Sequence, residues 1–148
     1  MNRKYSYDLQ RFMDAQSRWI DQACKELQEG RKQSHWMWFI FPQLKGLGHS
    51  PMANRYGISS RREAEAYLKH PLLGTRLRHC TALVMAVEGR SVEQIFGDPD
   101  DLKFRSSMTL FAIVDTENAV FNNALKKYFG GKPDEQTVDR LNHNKTGY

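Results

Sequence analysis

Cysteine is scarce: Cys24 and Cys80 are the two in 148 residues, and they form no CxxC pair. That excludes a disulfide framework and a thiolate metal site. Long hydrophobic runs are missing as well, since the longest, Trp36 to Phe41, is far too short to span a bilayer. No Asn-Gly or Asp-Gly hairpin signal occurs, and no β-branched residues alternate with polar ones, so sheets are not expected. A fixed-period repeat and a low-complexity tract are equally absent. The opening residues, Met1 to Tyr5, lead into no apolar signal segment, and the expectation is a cytoplasmic protein with reduced thiols.

What is present suits one globular domain. With 148 residues, 40% of them apolar and 26% charged, the chain can bury a core without metal or disulfide support. A net charge of +5 favours anionic partners. The cations come as scattered pairs, among them Arg31-Lys32, Arg61-Arg62 and Lys126-Lys127. That is the pattern of a solvated surface rather than of a nucleic-acid-binding arm.

Helix signals punctuate the chain. Asp8 can cap a first helix whose apolar stripe runs through Trp19, Ile20, Ala23, Cys24 and Leu27 to a stop at Gly30. Ser60-Arg61-Arg62-Glu63 and Ser91-Val92-Glu93-Gln94 read as capping boxes. Leu73, Leu77, Cys80, Val84 and Val87 recur at helical spacing as a buried seam. Asp98-Pro99-Asp100-Asp101 reads as N-cap, N1 proline and first-turn acids, opening a helix with Phe104, Met108 and Phe111 on one face. A later helix through Val120, Ala124, Leu125 and Tyr128 stops at Gly130-Gly131. The expected fold is all-α, a single compact multihelical domain over residues 1–148, with 142–148 a frayed tail.

The stretch SHWMWFIFPQLKGLGHSPM, Ser34 to Met52, concentrates aromatic residues directly behind Gly30-Arg31-Lys32-Gln33. Periodicity does not separate strand from helix here; Ser34 as an N-cap and Pro42 after Phe41 favour a short buried helix. Large aromatics belong mainly in the core. Pure packing would be served by Leu or Ile, however, and Trp N–H groups need partners when buried. One aromatic face turned to a cleft would suit a base or nicotinamide ring. His35, beside both tryptophans and the basic pair, is a candidate for anion contact or acid–base work. His49, His70 and His79 stand at no metal-ligand spacing, so neither a metal nor a cofactor is expected.

Gly46 to Pro51 is a turn into a helix start, with Ser50 and Arg55 placed to meet a phosphate or carboxylate, and Arg105-Ser106-Ser107 offers further donors. Pro99 to Lys103 spells a metal-nuclease pattern, but helix capping explains those letters fully. No GxGxxG, Walker or GxSxG pattern is present. A cysteine nucleophile is not expected, because Cys80 lies on the buried seam and Cys24 on a core-facing stripe.

The blocks RFMDAQ (11–16), GRKQSHWMWFIFPQLKGLGHSPMA (30–53), AYLKHPLLGTRLRHC (66–80), VEGRSVEQIFGDPDDLKFRSSMTLFA (87–112) and KYFGGKPD (127–134) resemble domain-of-unknown-function family 1810. The resemblance spans nearly the whole chain and implies a multihelical, right-handed helical array without an established activity. The name calpastatin sometimes attached to that family has no physical support here, since that inhibitor is a long disordered repeat protein. Shorter stretches, FMDAQ, SPMANRYG, HPLLGTRL and IFGDPDD, are similar in their order to features of the NADAR family of helical N-glycosidases. That likeness implies chemistry on ADP-ribose-type compounds, and Asp8 and Asp14 are the nearby candidates for the acidic residue it requires.

The expected site is therefore a cleft for a small phosphorylated or nucleotide-like ligand. Trp36, Trp38 and Phe39 would form its wall, and Arg31, His35, Ser50, Arg55 and Arg105 would read the anionic groups. If the cleft is catalytic, His35, Asp8 and Asp14 are the candidates. The alternative is a non-catalytic module that holds nucleic acid or protein through aromatic and basic residues.

Overall fold

The computed structural model describes residues 7–146, in which nine helices follow one another. They are α1 (Gln10–Gln28), α2 (Met37–Ile40), α3 (Pro51–Tyr56), α4 (Arg61–Lys69), α5 (Leu73–Ala86), α6 (Val92–Phe96), α7 (Asp100–Val114), α8 (Val120–Phe129) and α9 (Glu135–Thr146). No strand forms among the described residues, and one parallel bridge pairs Leu44 with Ile58. The all-α expectation holds, in one compact domain. Among the described residues no helix is long and apolar enough to cross a membrane.

The stripe on α1 is continuous, and Gly30 ends it at φ +76°, with the Gly30 and Arg31 amides returning to the Leu27 and Glu26 carbonyls. The capping signals meet mixed outcomes. Asp8 does not cap α1, where Leu9 takes the N-cap position without a side-chain bond. Ser91 and Gln94 form the full reciprocal box. Ser60 caps α4 through the Glu63 amide, but the Glu63 carboxylate turns to the Ser59 amide (2.7 Å) and to Arg11 (3.0 Å) instead of closing the box. Asp98 leaves the start of α7 uncapped, since Pro99 itself sits at N-cap; the acids Asp100 and Asp101 do lie in the first turn. The aromatic segment forms the short helix α2, one turn long, but Trp36 rather than Ser34 takes its N-cap.

Helix α7 is the centre of the molecule, packed by α4, α6, α8 and α9. It is buried without a break from Ser106 to Phe111. The sequence pattern marks one apolar face only. Off that face, Ser106 and Thr109 satisfy their hydroxyls on the carbonyls of Leu102 and Arg105 (3.2 and 2.8 Å), while the buried Ser107 hydroxyl has no partner among the described residues. Above it Phe96 stacks on Phe104 at 4.7 Å, and Phe41 meets Phe104 edge-on at 5.1 Å. Helix α9 continues through Thr146 with Leu141 in the core, so residues 142–146 of the expected tail are helical, while 147–148 lie outside the described residues.

Between α4 and α5 the chain reverses in three residues, with the His70 Nδ1 accepting the Leu72 and Leu73 amides. Gly74 is what permits this approach, since a Cβ there would overlap the Leu68 carbonyl oxygen. The atoms in closest conflict are Leu68 backbone, so no side-chain movement relieves the overlap. Gly74→Ala is expected to cost about 2–3 kcal/mol, read as a lower urea midpoint with an unchanged slope.

Candidate functional site

A cleft of about 510 Å³ opens where α1, α2 and α3 meet. Helix α1 contributes Asp14, Arg18 and Trp19, which share one face at helical spacing. Helix α2 brings Trp38 and Phe39, α3 brings Met52, Arg55 and Tyr56, and His35 comes from the segment leading into α2. The indoles of Trp19 and Trp38 are half-buried, leaving part of each ring open, whereas Phe39 and Tyr56 are buried beneath them in an edge contact of 5.3 Å.

The rim carries more positive than negative charge. Arg18 and His35 are exposed and form no hydrogen bond or ion pair within the described residues. The Arg55 guanidinium lies 5.5 Å from the Tyr56 ring and pairs with no carboxylate there. Asp14 is the acid lining the cleft, and Gln10 Nε2 donates to its Oδ1 at 2.8 Å.

Three polar residues of α1 hold these walls. Glu26, 2% exposed on α1, accepts from the Gln33 and Ser34 amides (2.7 and 2.9 Å) and the Ser34 hydroxyl (2.6 Å). It also accepts from Gln22 Nε2 (2.7 Å) and Trp36 Nε1 (2.9 Å). His35 thus projects from a segment tied on both sides. Burial alone would raise the Glu26 pKa, but the hydrogen bonds from Ser34, Gln33 and Gln22 outweigh it and hold the carboxyl down at about 2. Gln16, also buried on α1, donates to the Phe39 carbonyl (2.7 Å) and the Tyr67 hydroxyl (2.9 Å), fixing α2 against α1. Arg11 donates to the carbonyls of Arg55 (2.8 Å) and Gly57 (3.0 Å) while paired with buried Glu63, which sets α3 in place.

The sequence candidates divide accordingly. Asp14, His35, Trp38, Phe39 and Arg55 come together in the cleft. Trp36 does not: it is fully buried, with Lys32 Nζ 5.1 Å from its ring, and belongs to the core. Asp8 is exposed away from the cleft, and Arg31 is an exposed residue beyond the end of α1. Ser50 spends its hydroxyl on the Ala53 amide as the cap of α3. Arg105 donates to the Lys132 carbonyl (3.0 Å) and borders a separate hollow with Gln43 and Asp134. The pattern missed Arg18, Trp19, Met52 and Tyr56. The i, i+4 pairs Asp14–Arg18 and Ala15–Trp19 carried the signal, but Trp19 was absorbed into the apolar stripe.

These features define a small all-helical domain with an aromatic, cation-rimmed cleft. The chain belongs to the family described as protein of unknown function DUF1810, whose model matches residues 6–141. It is similar to a crystal structure of the conserved hypothetical protein Rv1873 from Mycobacterium tuberculosis, with 58% identity and a TM-score of 0.90. That match covers 91% of this chain and 96% of the other. No functionally curated protein matches the chain.

Proposed function

We propose that the cleft binds a small anionic ligand carrying a planar ring, of nucleotide or ADP-ribose type, in the cytoplasm. The observation that carries this reading is the juxtaposition of two half-open indoles, Trp19 and Trp38, with the guanidiniums of Arg18 and Arg55, which no carboxylate neutralises among the described residues. Indole faces stack on a ring, guanidiniums take phosphate oxygens in pairs, and a volume near 510 Å³ falls in the range of small-molecule pockets. Two of the stretches that resemble the NADAR family, residues 12–16 and 50–57, border this cleft.

Asp14 favours a reaction as well as binding, because a carboxylate in a cationic cleft suits an N-glycosidic bond to ribose. As the C–N bond breaks its electrons leave with the base nitrogen, Asp14 stabilises the positive charge on the sugar, and water adds to that carbon and gives up a proton, which the released base nitrogen takes.

A thermal-shift panel tests the reading with ADP-ribose, NAD, mononucleotides, sugar phosphates and short oligonucleotides. A mononucleotide or ADP-ribose at about a hundred times its Kd adds roughly 2.7 kcal/mol and raises Tm by several degrees. Trp19→Ala removes most of that shift. Stabilisation that appears only with oligonucleotides and grows with their length would instead make the protein an interaction module. Release of free base, abolished by Asp14→Asn with ligand binding kept, would establish the hydrolase.

A further inference from the structure

A second hollow, of about 300 Å³, opens between α7, the start of α9 and the loop that joins α2 to α3. It shares no lining residue with the cleft and has no aromatic ring among its walls. Bonds from distant segments fix its loop wall. The Gln43 carbonyl accepts the Ile58 amide (2.9 Å), the Lys45 amide donates to the Ile58 carbonyl (2.7 Å), and Arg140 of α9 donates to the Gly46 carbonyl (3.1 Å). Gly48 lets the loop close on α3, since a Cβ there would stand 2.9 Å from that of Ala53.

The polar groups of this hollow are held in place yet only partly used. Arg105 is anchored through Nε, which donates to the Lys132 carbonyl (3.0 Å), and its guanidinium lies 5.4 Å from the centre of the Phe129 ring. Its two terminal nitrogens have no hydrogen-bond partner among the described residues. Lys103 stands 3.5 Å from Asp100, whose nearer cation is Lys32 at 2.8 Å, so one carboxylate serves two ammoniums. Asp134 is the acid lining the hollow. Its Oδ2 accepts the Thr137 amide and hydroxyl (3.0 and 2.6 Å), and its Oδ1 has no partner among the described residues. The carboxamides of Gln43 and Gln136 likewise bond to nothing there.

We propose that this hollow is a second binding site, for a phosphate monoester of a small polyhydroxylated compound, of sugar-phosphate type. A phosphate monoester carries nearly two negative charges at neutral pH, which Lys103 and the open end of Arg105 match. A carboxamide both donates and accepts, as a hydroxyl does, so Gln43 and Gln136 suit the hydroxylated part. Asp134 Oδ1 accepts from a hydroxyl but repels phosphate, which sets the ligand with its phosphate toward Lys103 and Arg105 and its hydroxyls toward α9. Without an aromatic wall the hollow offers a nucleobase nothing to stack on, whereas its volume suits a small ligand. Because no residue is shared with the cleft, either site can hold its ligand without the other.

The experiment is a titration of the full chain with glucose 6-phosphate, followed by amide ¹H–¹⁵N NMR, with inorganic phosphate and glucose as parallel probes. The expected result is saturable shifts at the Leu47, Gly48 and Gln136 amides, weaker affinity for inorganic phosphate, and no shift with glucose. Arg105→Gln should weaken glucose 6-phosphate about tenfold or more. Gln43→Ala, which removes a side chain that bonds to nothing in the free protein, should weaken it about three- to tenfold with the fold unchanged. Shifts confined to the amides of Arg18, Arg55 and Tyr56 would put the ligand in the cleft and overturn the second site. The absence of saturable shifts, or full affinity in both variants, would overturn it as well. Equal affinity for inorganic phosphate and glucose 6-phosphate would overturn the recognition of hydroxyls by Gln43, Gln136 and Asp134.

Discussion

Glu26→Ala is expected to cost about 3–5 kcal/mol, because each buried donor left without a partner costs about 1–3 kcal/mol. The Trp36 indole N–H and the Gln33 and Ser34 amides all lose their acceptor at once. The wild-type carboxylate also makes stability depend on acid. Its folded pKa of about 2 lies below the unfolded value near 4.5, so its contribution is complete above pH 4.5 and is lost as pH falls toward 2. The size of that contribution is about 3 kcal/mol. Urea melts at pH 7 and pH 3 read both effects: the wild type should lose more between the two pH values than Glu26→Gln does. Equal pH slopes would mean that Glu26 titrates normally and does not clamp the His35 segment.

Trp36→Ala should be comparably damaging, at about 3–5 kcal/mol, while His35→Ala next to it should change stability by less than about 0.5 kcal/mol. The contrast between adjacent residues arises from burial. Trp36 is fully enclosed, packs 6.2 Å from Phe41 and satisfies its nitrogen on Glu26, whereas His35 is exposed and bonded to nothing among the described residues. In a domain of this size the first change lowers Tm by about 10 °C, and calorimetry on the two variants reads the difference directly. A His35→Ala protein that melts like Trp36→Ala would make the histidine structural and remove it from the cleft.

Much of the helical scaffold was legible because local chemistry decides it. Ser50-Pro51, Ser91 with Gln94, and Gly130 in left-handed conformation each do what their residue types dictate. Legibility failed where a residue has a stronger distant partner. Glu63 pairs with Arg11 across 52 positions instead of closing its own box, and Ser34 serves Glu26 instead of capping α2. The burial of α7 was hidden in a related way: Ser106 and Thr109 look polar in the sequence but satisfy their hydroxyls on the helix behind them. Half of the cleft was visible in the aromatic segment that supplies His35, Trp38 and Phe39. The other half comes from α1, where Arg18 and Trp19 read as ordinary members of an amphipathic helix until the fold sets that face against α3.

The decisive measurement is a calorimetric titration of ADP-ribose into the wild-type protein and into Arg18→Gln/Arg55→Gln at moderate salt. Each guanidinium–phosphate contact contributes about 1.5–3 kcal/mol, so the expected result is saturable one-to-one binding weakened about a hundredfold or more in the double variant. The absence of binding to the wild type, or equal affinity in both proteins, would contradict a ligand seated between the tryptophans and the two arginines.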